Sequence, residues 1–164
     1  MMQPTDTLTT LFAHNLWANT TLLERCAALS DDQLDASIVG TFGSIRSTLV
    51  HITHSERSYL HRINTRQPLR RIEGEPIPTV AEMLASVRQS GQGLIEAAPK
   101  VQPSDTVEVD WEDQTSKIVP LAIYLTQAIN HATEHRAQIM ATLTQLGIEP
   151  PSLDGWSYFE ALGR

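Results

Sequence analysis

The 164-residue chain contains 41% hydrophobic and 19% charged residues, which is the balance of an ordinary globular protein and excludes a disordered one. Its length predicts one domain over residues 1–164, and the net charge of −7 disfavours nucleic acid as a partner, because phosphate binding requires a basic surface. The single cysteine excludes an internal disulfide. Because the sequence shows neither a secretory leader nor an apolar run of about 20 residues, we expect a cytoplasmic protein with no membrane partner.

The first predicted helix covers residues 6–29, and its apolar stripe contains two asparagines, Asn15 and Asn19. Amides on a buried stripe must be hydrogen-bonded. They therefore either line a polar pocket or meet water at a helix end, and the sequence leaves both interpretations open. Cys26 lies on the same stripe, where a small buried apolar residue is expected rather than a nucleophile.

The second predicted helix covers residues 44–64 and carries three histidines, His51, His54 and His61. At about 100° per residue, His51 lies on the flank of the apolar stripe, whereas the other two project away from the core. His51 is therefore the histidine expected to reach the interior. Glu56 falls on the stripe itself, and a buried acid needs a partner.

Residues 65–78 contain three prolines and three arginines, which predicts a long crossover after the second helix. The third helix, predicted over residues 79–98, opens with a capping-box pattern from Thr79 to Glu82. Two glycines in this helix, at 91 and 93, either weaken it or allow a neighbour to approach closely.

Alternating apolar residues at 107–111 and again at 117–119 predict a short two-stranded β-ribbon. The fourth helix is predicted over residues 120–146, with Gly147 just beyond its end. Off its core stripe, Ile129 and Met140 are expected to be exposed and to hint at a partner surface.

His131 and His135 lie four residues apart on this fourth helix, so both imidazoles can face one atom. Together with His51 they form a candidate three-histidine metal site. Three protein ligands leave positions open for water or substrate, which is the layout of a catalytic metal rather than a structural one. Nitrogen donors suit zinc, nickel, copper or iron, and the residues alone do not choose among them, although we expect zinc or nickel.

The string from His131 to His135 also fits the H-x-x-E-H pattern of inverted zinc proteases. In that class the glutamate acts as a base at the metal. Here Glu134 projects away from the core stripe, and only 29 residues follow His135 to supply a third ligand. The protease interpretation is therefore disfavoured.

Four segments of the chain resemble the DinB-like superfamily: HNLWAN at 14–19, GSIRSTLVHI at 43–52, HATEHRAQI at 131–139 and LGIEPPSLD at 146–154. The third resembles the closing H-x-x-x-H-R-G-Q motif of that family, with Ala137 in place of the usual glycine. Asp113 and Gln114 stand where a ribbon turn often reads Asp-Gly. Neither departure replaces a candidate ligand.

The resemblance implies an all-α fold, an up-down-down-up four-helix bundle that is often dimeric. It also implies metal binding by the same three histidines, His51, His131 and His135. Similar proteins include thiol-dependent S-transferases and isomerases that use low-molecular-weight thiols. We accordingly expect a homodimer with a small-molecule substrate, a divalent transition metal and a thiol cosubstrate.

The functional hypothesis is therefore a metal-dependent enzyme of the S-transferase or isomerase type. In it, Asn15 and Asn19 would help to line the cavity, and Glu56 would support a ligand or act as a buried base. Two alternatives remain open. One is a metal-dependent hydrolase that activates water, and the other is a non-catalytic metal-binding dimerisation module.

Overall fold

The computed structural model describes residues 6–70, 74–110 and 115–163. In chain order the elements are α1 Thr7–Cys26, α2 Asp31–Leu34, α3 Ile45–Thr65, α4 Val80–Ala97, a 3-10 turn Ala98–Lys100, β1 Thr106–Asp110, β2 Ser116–Pro120, α5 Leu121–Gln145 and α6 Gly155–Ala161. The prediction of a mostly helical domain with one small β-ribbon is confirmed. Across the described ranges, no helix has the length and apolar character that a membrane span requires.

The four long helices begin and end within three residues of their predicted boundaries. Side-chain caps set three of the four starts: Asp6 caps α1, Ser44 caps α3, and Thr79 forms a reciprocal capping box with Glu82 at α4. The fourth, α5, follows Pro120 directly without a side-chain cap. The short helices α2 and α6 were not predicted.

The β-ribbon is antiparallel and pairs Val107 with Val119. Val107 is buried, which ties the ribbon to the helical core. The predicted first strand extended to Trp111, and this residue lies outside the described part of the chain, as do Asp113 and Gln114 of the predicted turn.

Two apolar clusters form the core, and each is built from one half of every long helix. The first joins the C-terminal halves of α1 and α5 to the N-terminal halves of α3 and α4, and its largest members are Leu22, Leu23, Ile45, Leu49, Met83, Ile139 and Leu143. The second joins the opposite halves, with Phe12, Ile63, Leu94, Leu121 and Leu125. Within this arrangement α4 packs on α1 and α3, and α5 also packs on both of them.

Two glycines let α4 approach its neighbours closely. A Cβ atom on Gly91 would lie 2.7 Å from Leu16 Cδ1, and one on Gly93 would lie 2.5 Å from Leu60 Cδ2. Real Cβ atoms do not approach other heavy atoms so closely. With any side chain at position 91 or 93, the neighbouring leucine would therefore have to move. The interpretation that these glycines permit close approach is thus supported.

Ile129 and Met140 are not exposed, contrary to the expectation from the sequence. Each is half-buried and packs against one of the two apolar clusters, Ile129 on the second and Met140 on the first. The predicted stripe was too narrow, because α5 contacts α1 as well as α3 and so buries a wider face.

Candidate metal centre

Helices α3 and α5 bring three histidines together. His51 comes from α3, and His131 and His135 come from successive turns of α5; one ring nitrogen of each lies within 4.8 Å of the others. The ring centroids are 4.5–4.8 Å apart, and Nε2 of His51 lies 2.8 Å from Nε2 of His131. His135 is buried, whereas the other two rings are half-buried. Among the described residues, this is the one group of three or more metal-binding side chains that converge in this way.

The other two histidines of α3 lie outside this histidine cluster. His54 faces a separate cavity between α3 and α4, and His61 is half-buried further along the helix. All three histidines of α3 are half-buried, so burial does not separate them as the angular argument expected; His51 differs from the other two in lying beside His131 and His135.

The orientation of His135 is fixed by Gln138, one turn later on α5. Nδ1 of His135 lies 2.9 Å from the side-chain oxygen Oε1 of Gln138. Because an amide oxygen only accepts hydrogen bonds, Nδ1 carries the proton and donates it to Gln138. The lone pair of His135 is then on Nε2, which is the arrangement of metal-binding histidines with an acceptor behind them.

The donor set fits a divalent transition metal. Two nitrogens bound to one tetrahedral ion at 2.0–2.1 Å lie about 3.4 Å apart, and the observed separations bracket that value. All three donors are imidazoles, which suit zinc, nickel, copper or iron and do not suit calcium or magnesium.

Aromatic rings border the histidine cluster on two sides. The ring of Phe42 stacks on His51 with a centroid distance of 4.2 Å and meets His135 edge-on at 5.1 Å. On another side, the ring of Tyr59 meets His131 edge-on at 5.9 Å and also contacts Tyr124. The sequence analysis identified neither Phe42 nor Tyr59.

Burial is the main influence on the protonation of His131. Burial, reinforced by the neighbouring His135 and His51, lowers the pKa of this imidazole to about 4. At neutral pH, His131 is therefore uncharged.

The three predicted pocket residues lie together, but in a separate buried group with Arg136. We call Asn15, Asn19, Glu56, Ser90 and Arg136 the amide network. Oε2 of Glu56 accepts hydrogen bonds from Nδ2 of Asn15 at 3.1 Å and of Asn19 at 2.7 Å, while Oε1 accepts one from Ser90 Oγ at 2.7 Å. Nη1 of Arg136 donates to the oxygens of both asparagines at 2.7 Å.

Each asparagine therefore bridges the buried carboxylate of Glu56 and the buried guanidinium of Arg136. The sequence analysis predicted that Glu56 needs a partner but did not identify Arg136. The available signal was the arginine that directly follows His135 in the family-like motif at 131–139. Burial raises the pKa of Glu56, and burial lowers the pKa of Arg136 to about 10, while the opposite charge of each counteracts both shifts.

Glu134 is exposed and does not belong to the histidine cluster. A base at the metal must reach the bound water, and this side chain faces solvent instead. The structure therefore gives no support to the inverted-protease interpretation.

Several solved structures share this fold, and two of them are DinB-like proteins. A DinB-like protein from Bacillus cereus ATCC 10987 superimposes with a TM-score of 0.62 at 16% identity, covering 85% of this chain and 91% of that one. The DinB-like protein YjoA from Bacillus subtilis gives a TM-score of 0.63 at 14% identity, covering 88% of this chain and 97% of that one. No curated protein sequence matches the chain.

Residues 1–162 match the sequence profile of the DinB family, which spans nearly the whole chain. The match includes the histidines that converge in the structure and the helices that carry them. The chain belongs to the DinB family.

Proposed function

We propose that the protein is a metal-dependent enzyme that transfers a low-molecular-weight thiol to a small electrophile. His51, His131 and His135 would hold a divalent transition metal, zinc or nickel. The observation that carries this proposal is the convergence of three imidazole nitrogens within 4.8 Å at a half-buried position. Three ligands leave room in the coordination sphere for a molecule from solution.

A bound divalent metal would lower the pKa of a coordinated thiol and so supply a thiolate at neutral pH. The protein's own residues orient this site. Gln138 bonds to Nδ1 of His135 and so leaves Nε2 as the nitrogen for a metal, while the rings of Phe42 and Tyr59 border the site on two sides.

The thiol must come from outside the chain. Cys26 is the only cysteine, it is 0% exposed within the first apolar cluster, and its burial raises the pKa to about 12. A thiol with this pKa supplies almost no thiolate at neutral pH. This supports a thiol cosubstrate rather than a protein nucleophile.

For the scaffold we propose the up-down-down-up arrangement of the four long helices. The two apolar clusters support it, since α1 and α5 contribute matching halves to each cluster and α3 and α4 contribute the opposite halves. In that arrangement α3 and α4 run in the same direction, so the segment between them returns along the length of the bundle.

The first test is metal content. Protein purified without a histidine tag is reconstituted with zinc or nickel and analysed by mass spectrometry. We expect about one ion per chain in the native protein and in the His61→Ala control, and a loss of binding in His51→Ala. The control removes a histidine from the same helix outside the cluster. Absence of metal from the native protein contradicts the proposal.

The second test separates the reaction types. Conjugation of a small thiol to a generic electrophile is measured with and without a chelator, alongside ester and amide hydrolysis without thiol. A conjugation rate that falls with chelator supports transfer. Equal conjugation rates in both conditions contradict it, and chelator-sensitive hydrolysis in the absence of thiol indicates a hydrolase instead.

A further inference from the structure

The side-chain oxygen of Gln138 serves two donors. It accepts a hydrogen bond from Nδ1–H of His135 at 2.9 Å and a second from the backbone N–H of Phe42 at 3.2 Å. An amide oxygen has two lone pairs, so both bonds form together. The backbone donor also identifies the atom that faces it as oxygen, because the amide nitrogen of Gln138 does not accept.

Phe42 lies in the segment between α2 and α3, which has no helical or strand structure. The residue is 52% exposed, yet its ring stacks on His51 at an interplanar angle of 19° and meets His135 edge-on. An exposed aromatic ring at the tip of a loop needs an anchor to stay over these histidines. The bond from its own N–H to Gln138 is such an anchor.

One atom therefore meets both a candidate ligand and the loop that covers it. Neutral imidazole has two tautomers, and the hydrogen bond at one nitrogen decides which of them prevails. Without an acceptor at Nδ1, the proton is free to occupy Nε2 and to remove the lone pair that a metal would bind there.

We propose that Gln138 is a positioning residue of the metal centre, which selects the Nδ1–H tautomer of His135 and fixes Phe42 as one wall of the site. The inference rests on the proposed function for its purpose, but the tautomer and the loop position are properties of the metal-free chain. They can be measured whether or not the protein is an enzyme.

The test uses metal-free protein labelled with ¹⁵N-histidine, at a pH where the imidazoles are neutral. Long-range ¹H–¹⁵N spectra identify the protonated nitrogen of each ring. We expect His135 to be the Nδ1–H tautomer in the native protein and in Gln138→Glu, which keeps an oxygen acceptor. Gln138→Leu, which has nearly the same size and no acceptor, is expected to shift His135 towards Nε2–H.

The same samples report the loop. Hydrogen exchange of the backbone N–H at position 42 is expected to accelerate in Gln138→Leu. It is expected to stay slow in Phe42→Ala, which keeps this N–H and removes only the ring. Gln145→Leu, an exposed glutamine at the end of α5, is the matched control and should change neither signal. If Gln138→Leu loses native dispersion across the whole spectrum, the tautomer of His135 in the folded native protein decides the inference.

Metal affinity gives the functional readout, by competition with a chromogenic chelator. Loss of a hydrogen-bond acceptor behind a metal-binding histidine typically weakens binding about 10–100-fold, and we expect this for Gln138→Leu with recovery in Gln138→Glu. The inference is overturned if native His135 is the Nε2–H tautomer, or if Gln138→Leu leaves the tautomer and the Phe42 amide unchanged. A native protein that binds no metal overturns the proposed function alone.

Discussion

Two neighbouring residues of α5 belong to two different polar clusters. His135 joins the histidine cluster with His51 and His131, and Arg136 joins the amide network around Glu56. The amide network is closed: its carboxylate accepts three hydrogen bonds, and its members are 2–4% exposed. The histidine cluster is half-open, with two nitrogens of different helices facing each other at 2.8 Å.

The difference distinguishes a polar group that is satisfied inside the protein from one that could hold a metal ion. In the amide network each donor meets an acceptor inside the protein, so the group orients helices and needs nothing further. In the histidine cluster, by contrast, basic nitrogens point at one another, which is unfavourable unless a proton or a cation lies between them. The predictions below test this contrast, beginning with the largest expected effect.

Arg136→Met should destabilise the protein by about 3–5 kcal/mol, because it leaves the buried Glu56 without its opposite charge. Urea unfolding followed by circular dichroism measures the change. Arg88→Met is the control: Arg88 pairs with Glu24 on the surface, both side chains are more than half exposed, and the expected loss is about 0–1 kcal/mol. Equal losses in the two variants would remove the distinction between closed and open polar groups.

The cost of Arg136→Met should be smaller at pH 5 than at pH 8. Burial raises the pKa of Glu56, and the positive charge of Arg136 opposes that rise. Without Arg136, the pKa of Glu56 in the native state rises further above its value in the unfolded state. The native state then binds this proton more tightly than the unfolded state does. The stability of the variant therefore falls as the pH increases from the unfolded pKa of Glu56 to its native pKa. Unfolding at both pH values, with the Glu56→Gln/Arg136→Met double variant as control, measures the effect. A cost that is larger at pH 5 contradicts it.

In metal-free protein, His131→Ala should change the free energy of unfolding by only about 1 kcal/mol or less, since the ring is half-exposed and its ring nitrogen faces another imidazole. Added zinc should then raise the melting temperature of the native protein and not that of the variant. His61→Ala should keep the response to zinc. A loss as large as that of Arg136→Met would make the histidine cluster structural.

Cys26 should not react with a thiol reagent in the native protein, because its side chain is fully buried and burial raises its pKa to about 12. One thiol per chain should react in denaturant. Absorbance with a disulfide reagent measures both. Rapid reaction of the native protein would show that the α1 side of the core opens, and would weaken the contrast between the two regions.

The sequence predicted the features that depend on local spacing. Helical periodicity and the caps at Ser44 and Thr79 located the long helices, while the i, i+4 spacing placed His131 and His135 on one face. The helices α2 and α6 were missed because four and seven residues are too short to show a periodic apolar stripe.

For features that depend on tertiary packing, the sequence predicted that a partner was needed but not which residue supplies it. Asn15 and Glu56 were expected to need partners, but the partner Arg136 lies 121 residues from Asn15 along the chain. Gln138 lies in the family-like motif at 131–139, but its contact with Phe42 was not predicted, because that contact depends on how a loop meets a helix 96 residues away. Local patterns carry no information about such contacts.

These sequence separations also constrain the order in which the protein folds. The contact between His51 and His131 spans 80 residues, and the amide network joins the first long helix to the last. Before α5 docks, α1, α3 and α4 hold an acid at their centre with no base beside it. We therefore expect a late and cooperative step, in which the docking of α5 neutralises that acid and completes the histidine cluster at the same moment. Because Arg136 and His135 are adjacent on one helical turn, the pairing of Glu56 with its opposite charge and the assembly of the histidine cluster occur in a single folding event.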